Sequence, residues 1–463
     1  MRIHINTLHD YIGKEVTLAG WVHVRRDHGK LIFIDLRDAT GVVQMVALPN
    51  HTEAHEAVSA VRSEWVVEVM GVVNKRPEKM VNANEANGDI EIELLGLTVL
   101  NEAQTPPFEI TGDTSEVDEN IRLKYRYLDL RTERMQKNIR MRNDFVRSCR
   151  DYLFSKNFVE IETPLLTEST PEGSRDFVVP SRLNLGKFYA LPQSPQQYKQ
   201  LLMVGGFERY FQLARAVRDE DLRADRGFEH TQIDIEASFL SQEDILTLIE
   251  GMIIASVEAT GKTIRQKPFP RMTYMDAMKT YGADKFDMRT EEEKKTGMLA
   301  FAWVIDFPMF EKTDEGTWTF THNPFSMPKP EHLELLLKGE RVEDIMAQQY
   351  DLVCNGYECG GGSIRAHKPE ILKATYNVMG YSDEEREVSI GHMIEAFLYG
   401  APPHGGLAIG IERMTMILTG ESELREVQAF PMTRGGKTAV MDAPKSLTQK
   451  QLDELGIEVK TKK

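Results

Sequence analysis

The sequence predicts a two-domain α+β protein, with an all-β unit at the N-terminus and a larger domain of mainly antiparallel sheet covered by helices. The chain has 463 residues, enough for two to four domains at about 100–200 residues each. Short runs of alternating apolar and polar residues fill residues 1–104, which is typical of strands. From residue 133 onwards, strand-like runs alternate with long helical patterns, which indicates helices packed on a sheet.

The N-terminal unit is predicted to contain five strands and one helix. The helix lies between the third and fourth strands, where Ala54, Ala57, Val58 and Val61 recur at helical spacing. This order of elements is typical of a small OB-type barrel. The five strand-like runs are residues 16–24, 30–36, 41–48, 65–73 and 89–97.

The polar side of the barrel carries an aromatic residue among arginines. Phe33 and Gln44 lie near a basic cluster that includes Arg25, Arg26 and Arg37. Barrels of this type stack single-stranded bases on an aromatic ring and hold the backbone with arginines. A solvated basic strand end, with the aromatic ring in the core, is the alternative.

The second domain is predicted to span residues 133–463, after a hinge over residues 105–132 that contains Pro106-Pro107. A helix over 133–158 leads into a strand over 159–164 that ends at a proline. Further strands are predicted over 188–191, 210–214, 231–239, 302–307, 350–353 and 407–411, and further helices over 195–204, 242–260, 389–398 and 414–419.

The composition excludes several classes of protein. A net charge of −16, with 41% hydrophobic and 28% charged residues, is typical of a soluble globular protein, so we expect a cytoplasmic location and no membrane partner. Nucleic acid would have to bind at local basic patches. The three cysteines have no partners at zinc-site spacing, and we expect them to be buried.

Two segments have the residue types needed to bind phosphate. Arg218 directly follows a strand-like run, where the sheet can hold a guanidinium for two hydrogen bonds to a phosphate. Gly405 to Arg413 forms a glycine-bearing strand that enters a helix, and a helix N-terminus attracts anions. Taken singly, each segment could also be a solvated loop or turn with a surface arginine.

These two segments and the helix and strand over 133–164 occur in the order of the three signature motifs of class II aminoacyl-tRNA synthetases, which they resemble. Further stretches resemble the bacterial-type aspartyl-tRNA synthetase family in particular, and the resemblance covers nearly the whole chain. They are Thr170-Pro-Glu172-Gly-Ser-Arg-Asp176, Ala190-Leu-Pro-Gln193-Ser-Pro-Gln196-Gln-Tyr-Lys199, Arg218-Asp-Glu-Asp-Leu-Arg-Ala-Asp225 and Tyr357-Glu358-Cys-Gly-Gly-Gly-Ser363-Ile-Arg365.

The resemblance implies a class II catalytic domain that uses ATP to attach L-aspartate to tRNA through aspartyl-adenylate. The attacking carboxylate is ionised at neutral pH, so catalysis needs positioning and fixed positive charge rather than a general base. Arg218, Arg413 and Glu358 are the expected catalytic residues, and Asp351 and Glu358 the expected Mg²⁺ ligands. The expected ATP-binding set is Arg218, Asp219, Glu220, Glu358, Gly410, Ile411, Glu412 and Arg413.

The resemblance also implies an aspartate pocket. Arg365 is the expected bidentate partner of the side-chain carboxylate, and Lys199 is a second positive charge. The segment Thr170–Asp176 is expected to be a loop that closes over aspartate. His322 matches a family histidine beside the substrate, although a lone histidine is more often structural. The expected aspartate-binding set is Glu172, Gln196, Lys199, Arg218, Asp234, His322 and Arg365.

Three departures from the family pattern stand out. His230 occupies the usual place of a phenylalanine and Gly227-Phe228 that of a Gln-Pro pair, so either His230 or Phe228 is expected to stack on adenine. The usual domain-sized insertion is reduced to a short connection near residues 284–300. Asn323 stands where the family shows a second histidine.

On the barrel, the resemblance assigns anticodon reading to Arg26, Phe33, Gln44 and Glu91. Family members that also charge the asparagine tRNA often carry a histidine at the position of His28, which favours dual charging, whereas Lys79 does not support it. A loop histidine with no role is the alternative.

Two rival functions remain. A lysyl- or asparaginyl-type enzyme shares the fold, but its substrate offers no anion for Arg365 and Lys199. The second rival is a catalytically silent regulatory protein that binds tRNA. The intact set of charged residues argues against this interpretation. By resemblance, the helix and strand over 133–164 would form the interface of a homodimer.

Overall fold

The computed structural model describes residues 2–170 and 173–460, and these divide into two compact units. The first unit ends at Glu133 and the second begins at Arg134. Within the described residues, no helix is long and apolar enough to cross a membrane.

The first unit contains a closed five-stranded barrel with the strand order β1-β2-β3-β5-β4. Its pairings are antiparallel except for β3 with β5. Alternate residues of β2, namely Ile32, Ile34 and Leu36, point into the core, as the two-residue period of a half-buried strand requires. The predicted OB-type barrel is therefore confirmed. The strands are β1 Glu15–Asp27, β2 Ile32–Arg37, β3 Val42–Ala47, β4 Val66–Lys75 and β5 Ile90–Asn101, with helix α1 Thr52–Ala60 between β3 and β4.

The segment predicted as a hinge contains two short helices, α2 Glu119–Lys124 and α3 Arg126–Asp129. Asp129 is buried and accepts a hydrogen bond from Thr114 Oγ1 at 2.6 Å and from Arg126 Nη1 at 2.6 Å. Breaking a buried ion pair of this kind costs about 3–5 kcal/mol. Residues 114–129 are thus fixed by specific contacts, which the weak apolar pattern of the sequence does not show.

The second unit is built on an eight-stranded sheet with the order β11-β12-β15-β16-β17-β10-β9-β6. Only the outermost pairs, β11 with β12 and β6 with β9, are parallel, so the predicted mainly antiparallel sheet is confirmed. Its strands are β6 Val159–Glu160, β9 Arg209–Val217, β10 Glu229–Ser238, β11 Arg271–Thr273, β12 Phe301–Pro308, β15 Met346–Cys354, β16 Tyr357–Ile364 and β17 His404–Gly410. Two hairpins lie outside it, β7 Val178–Pro180 with β8 Phe188–Ala190 and β13 Phe310–Lys312 with β14 Trp318–Phe320.

Ten helices of the second unit are described. They are α4 Glu133–Ser155, α5 Gln196–Val204, α6 Gln242–Ala259, α7 Tyr274–Tyr281, α8 Glu291–Lys295, α9 Leu333–Lys338, α10 Pro369–Val378, α11 Asp383–Leu398, α12 Ile411–Thr419 and α13 Gln449–Leu455.

Strand β6 is shorter than predicted, because it ends at Glu160 rather than at residue 164. One further ladder-like bond, from Ile161 N to Phe211 O at 3.1 Å, follows it. Pro164 has no N–H to donate, so pairing cannot continue through it.

The two faces of the large sheet differ in character. On one face, Ile233, Ile235, Leu407 and Ile409 are buried in the main core. Residues of α4, α6 and α12 cover this face. All three cysteines are buried and free, as predicted. The opposite face carries polar residues and glycine, which form the floor of the candidate site: Gln232, Asp234 and Glu236 of β10, Gln349 and Asp351 of β15, and Gly361 and Ser363 of β16.

Candidate functional site

Four charged side chains form a buried network on the polar face of the sheet. Lys199 of α5 lies 3.0 Å from Asp234 Oδ2 and 3.3 Å from Glu236 Oε2. Arg365, just after β16, donates to Glu236 from Nε at 3.0 Å and from Nη2 at 3.2 Å. Each of the four residues is at most 2% exposed. These residues are up to 166 positions apart in sequence. The fold brings them together because β10 lies beside α5 and close to β16.

The donors of Arg365 that remain available point to a bidentate ligand. A guanidinium has five N–H groups. Two of them bind Glu236, and Nη1 donates a third to Ser363 Oγ at 2.8 Å. The remaining N–H groups, one on Nη1 and one on Nη2, form the outer fork that pairs with a carboxylate.

The two acids of the network differ in proton affinity. Burial raises the pKa of Asp234, despite the nearby charge of Lys199. Burial also acts to raise the pKa of Glu236, but Arg365 and Lys199 hold it below its ordinary value. Glu236 is therefore the firm counter-ion that fixes Arg365 in place.

Asp234 has an acceptor atom with no partner. Its Oδ1 is buried and receives no hydrogen bond from any described residue. A buried acceptor without a partner costs about 1–3 kcal/mol, so a ligand with N–H groups at this point would be stabilised. Gln196 lies nearby in the same helix as Lys199, and its Nε2 donates to Gln200 Oε1 at 3.0 Å. The structure thus places Asp234 and Gln196, both predicted to bind the substrate ammonium group, next to Lys199 and in the same helix as Lys199, respectively.

Arg218 follows β9 and lies over the same face. Its Nε donates to Gln193 O at 3.3 Å, and its backbone N–H donates to Phe228 O at 2.8 Å. Among the residues that the structure describes, no carboxylate lies within salt-bridge distance of it. Arg218 is thus held by backbone contacts and keeps its positive charge available for an anion.

Arg413 lies in the first turn of α12. Its Nη1 donates to Glu358 O at 2.7 Å, and its Nη2 lies 3.3 Å from Asp225 Oδ2. Gly410 is the N-cap of this helix. Ile411, by contrast, is fully buried in the core, and Glu412 accepts hydrogen bonds from Thr231 N at 2.9 Å and Arg142 Nη2 at 3.2 Å. Only the backbone of Ile411 is therefore available to a ligand, and both carboxylate oxygens of Glu412 already have protein partners.

Asp351 and Glu358 lie on the neighbouring strands β15 and β16. Burial, and then the charge of Glu358, raises the pKa of Asp351, so the two carboxylates are close enough to affect each other. Gln349 Nε2 donates to Asp351 Oδ1 at 2.9 Å, and His322 Nε2 lies 3.4 Å from Asp351 Oδ2. A Cβ on Gly361 would lie 2.7 Å from Asp351 Oδ1, so glycine is needed beside this carboxylate.

Asp351 and Glu358 are the two carboxylates predicted to bind Mg²⁺. The described residues contain no group of three or more His, Cys, Asp or Glu side chains that could hold a metal by themselves. Mg²⁺ at a nucleotide site is usually held by one or two carboxylates together with phosphate oxygens and waters. Asp351 and Glu358, two carboxylates on neighbouring strands, therefore fit a metal that arrives with a triphosphate.

The predicted loop over 170–176 contacts the site through its second half. Ser174 N donates to Gln193 Oε1 at 3.1 Å, and Ser174 Oγ donates to Glu220. Arg175 Nε donates to the backbone oxygen of Asp219 at 3.3 Å. Glu172, predicted to bind the ammonium group, lies outside the described residues.

The two candidates for adenine stacking have different surroundings. The ring of Phe228 packs edge-on against Phe177 at 5.3 Å, and an added Cβ on Gly436 would lie 3.0 Å from it. Burial and the charge of Arg218 lower the pKa of His230 to about 3. His230 is therefore a neutral, half-buried ring at neutral pH, whereas Phe228 is already engaged by protein atoms.

We expect H230F to keep the KM for ATP within about threefold of wild type, because a neutral ring still stacks on adenine. H230A should raise this KM about tenfold, since stacking on one base is worth about 1–3 kcal/mol. Steady-state pyrophosphate exchange at varied ATP measures both values. If H230A leaves the KM unchanged while F228A raises it, Phe228 is the stacking residue.

On the barrel, all four residues predicted to read bases lie on one surface. Arg26 is paired with Phe33 across β1 and β2, and Arg26 Nη2 donates to Gln44 Oε1 at 3.2 Å. Gln44 Nε2 lies 3.5 Å from Glu91 Oε2. The Phe33 ring is half-buried on the outer side of β2, opposite the core residues Ile32 and Ile34, so the core alternative for Phe33 is wrong.

The structure adds residues that the sequence did not indicate. Glu236 holds Arg365, and its position two residues after Asp234 on one strand could have placed it on the same face. The Nε and Nη2 atoms of Arg76, just after β4, are buried and make no hydrogen bond to the described residues, and Nε lies 4.0 Å from Glu91 Oε2. No pattern in the sequence distinguishes Arg76 from a surface arginine.

Comparison with known families adds independent information. The model described as tRNA synthetases class II (D, K and N) matches residues 118–434. The model described as an OB-fold nucleic acid binding domain matches residues 16–100.

Curated relatives match almost the whole chain. The chain is 40% identical to the aspartate–tRNA(Asp/Asn) ligase of Rubrobacter xylanophilus, with 96% of this chain and 94% of that protein covered. It is 39% identical to the aspartate–tRNA ligase of Macrococcus caseolyticus, with 97% and 96% covered. The first match extends over 570 aligned positions, more than the 463 residues of this chain, so that relative contains residues that have no counterpart here.

Solved structures share the fold. The aspartyl tRNA synthetase of Entamoeba histolytica has a TM-score of 0.73 at 22% identity, with 93% of this chain and 91% of that chain covered. The asparaginyl-tRNA synthetase of the same organism, in complex with asparaginyl-adenylate, has a TM-score of 0.76 at 23% identity, with 93% and 97% covered.

Proposed function

The chain belongs to the class II tRNA synthetases of the D, K and N group, and from this premise we propose that it attaches L-aspartate to tRNA at the expense of ATP. It is an aspartate–tRNA ligase with an OB-fold anticodon-binding domain. The observation that supports aspartate as the amino acid is the buried network. In it, Glu236 fixes Arg365 and leaves the outer fork of Arg365 for a carboxylate.

In the proposed pocket, aspartate binds through two of its charged groups. Its side-chain carboxylate pairs with the outer fork of Arg365, and Lys199 adds a second positive charge. Its ammonium group donates to Oδ1 of Asp234, which has no hydrogen-bond partner among the described residues, and Gln196 helps to orient it. These contacts orient the α-carboxylate toward ATP, which is the main requirement when the nucleophile is already ionised.

The reaction then proceeds in two balanced steps. A carboxylate oxygen of aspartate bonds to the α-phosphorus of ATP while the bond to pyrophosphate breaks, which gives aspartyl-adenylate. The terminal adenosine hydroxyl of tRNA next attacks the aspartyl carbonyl, AMP leaves, and the hydroxyl proton is released. Arg218 stabilises the charge that grows on the α-phosphate, because it has a fixed position and no carboxylate partner among the described residues.

The triphosphate is placed by groups at the other end of the site. Arg413 holds the γ-phosphate end, and Glu220 contacts the adenine side, where Ser174 and Arg226 orient it. Asp351 and Glu358 would hold Mg²⁺, which neutralises phosphate charge when it is bound. Asp351 is fixed for this by Gln349.

The rival amino acids fit this pocket less well. An asparagine side chain presents an N–H₂ group to Arg365 and Lys199, which are both donors, and a lysine side chain would add a third positive charge. The intact charged residues likewise oppose a silent regulatory role.

The proposal includes a homodimer formed through α4 and β6. Strand β6 is the last strand of the sheet, so it has one edge that no described strand pairs with. A two-fold interface would cover this edge, which otherwise exposes backbone donors and acceptors.

We also propose that the enzyme charges both the aspartate and the asparagine tRNA. His28 supports this, because its ring packs edge-on against Phe33 at 5.7 Å and therefore lies at the base-reading surface rather than in an isolated loop. Two of the relatives, from R. xylanophilus and Bacillus subtilis, bear the name aspartate–tRNA(Asp/Asn) ligase.

Charging of purified aspartate and asparagine tRNAs in parallel tests both parts of the proposal. We expect aspartate to be attached to both tRNAs. Charging of the aspartate tRNA alone would overturn the dual specificity, and charging of neither would overturn the function itself.

Replacement of Phe33 by alanine should lower kcat/KM for tRNA charging about tenfold, because one base loses its stacking partner. Pyrophosphate exchange, which needs no tRNA, should stay within about twofold of wild type. M70A, which removes an exposed apolar side chain elsewhere on the barrel, serves as the control. Equal losses in both assays for F33A would show that Phe33 is only structural.

A further inference from the structure

The short connection between α7 and β12 brings a lysine to the triphosphate end of the site. Lys285 Nζ lies 2.8 Å from Glu358 Oε2. Glu358 is one of the proposed metal ligands, and Arg413 binds its backbone oxygen at 2.7 Å. The sequence does not indicate a binding role for Lys285. The only feature noted for its segment is that a short connection replaces the usual insertion.

The loop that carries Lys285 is firmly attached to the hairpin that carries Glu358. The next residue, Phe286, is 5% exposed and stacks on Tyr281 with ring centroids 4.2 Å apart. Its backbone oxygen accepts a hydrogen bond from Gly356 N, in the turn between β15 and β16, at 3.0 Å. The backbone at Lys285 is therefore placed by packing and by the strand pair itself.

Arg289 stabilises the end of this loop. It donates from Nε and Nη2 to the two oxygens of Asp287, at 3.0 and 2.9 Å, and its backbone N–H donates to the same carboxylate. Arg289 Nη1 also donates to Met298 O at 3.4 Å, which joins the segment to the residues before β12. The Lys285 side chain remains about half exposed, at 46%, so a ligand in solution can reach it.

We propose that Lys285 binds the β- and γ-phosphates of ATP, a role that rests on the function proposed above. A lysine ammonium is a flexible point charge with three donors, which allows it to contact Glu358 and phosphate oxygens together. With Arg413, it supplies two cations at the end of the site where the leaving pyrophosphate must be stabilised. The adenylate has lost both of these phosphates, so it offers neither cation this contact.

The experiment compares ligands that differ only in these phosphates. For K285A, the dissociation constants of ATP and of pyrophosphate, each with Mg²⁺, should rise about tenfold, the usual effect of losing one charge-assisted contact. Binding of a non-hydrolysable sulfamoyl analogue of aspartyl-adenylate should stay within about twofold of wild type. K285R, which keeps the charge, should recover most of the affinity for ATP.

The matched control is K294A. Lys294 lies nine residues further along, on the surface, and pairs with Glu291 at 2.7 Å. Its loss should change none of the three affinities. Unchanged ATP and pyrophosphate binding in K285A would overturn the proposal, as would an equal loss for the adenylate analogue, since that would show an effect through Glu358 alone. Failure of the wild-type enzyme to bind the aspartyl analogue would instead contradict the proposed function.

Discussion

Replacement of Arg365 by glutamine is expected to lower kcat/KM for aspartate in pyrophosphate exchange at least about a thousandfold, equivalent to about 4 kcal/mol. The change removes the outer fork that is proposed to bind the substrate carboxylate. It also leaves Glu236 with Lys199 as its sole cationic partner in the network. Sites built to bind a polar group discriminate strongly because a mismatch leaves buried charges unpaired.

Two further measurements separate binding from folding. Loss of one partner from a buried pair costs about 3–5 kcal/mol of unfolding free energy, so thermal unfolding of R365Q should be recorded beside its activity. R365K keeps the charge but not the fork, and it should fall between wild type and R365Q in kcat/KM. If folded R365Q uses aspartate as well as wild type does, Arg365 does not bind the substrate.

Replacement of Arg218 by alanine should lower the rate of adenylate formation by at least about a hundredfold, or about 2.7 kcal/mol. The reason is that Arg218 has no carboxylate partner among the described residues and is held by Gln193 O and Phe228 O, so its charge is preorganised for the α-phosphate. Because this charge develops in the transition state, the loss should fall on kcat more than on KM. Single-turnover formation of adenylate measures it directly.

Arg223 offers a matched control for Arg218. It lies exposed in the loop that follows Arg218, and backbone hydrogen bonds join it to Arg226. R223A should keep adenylate formation within about threefold of wild type. Equal effects of R218A and R223A would mean that only the overall positive charge of the loop matters.

The barrel and the sheet could be predicted from the sequence because their signals are local. Runs such as Lys30 to Leu36 alternate with a period of two, and the structure confirms β2 with Ile32, Ile34 and Leu36 inward. The segment before Arg134 could not be predicted in the same way. The structure of this segment depends on Asp129 and its buried partners. These are polar residues, so the segment has no periodic apolar pattern from which its structure could be predicted.

The candidate site was predictable only in part. Arg365, Lys199 and Asp234 could be named from the motifs, and the structure brings them into one network. Glu236 and Arg365, its counter-ion, are 129 positions apart in sequence. Their contact depends on the order of strands in the sheet and leaves no local pattern in the sequence. Lys285 depends in the same way on the bond between Gly356 and Phe286.

We propose that the pocket selects its amino acid by charge. Two cations and two acids are balanced within it, and the outer fork of Arg365 and the partnerless oxygen of Asp234 remain for a ligand with both an anion and an ammonium group. Aspartate offers its side-chain carboxylate and its α-ammonium group in these places, whereas asparagine and lysine offer no side-chain anion.

ATP–pyrophosphate exchange by the wild-type enzyme, measured separately with aspartate, asparagine and lysine, tests this selection most directly. We expect rapid exchange with aspartate and exchange at least about a hundredfold slower with the other two, because their side chains leave Arg365 unpaired. Strong exchange with asparagine or lysine, but not with aspartate, would contradict the assignment of the pocket.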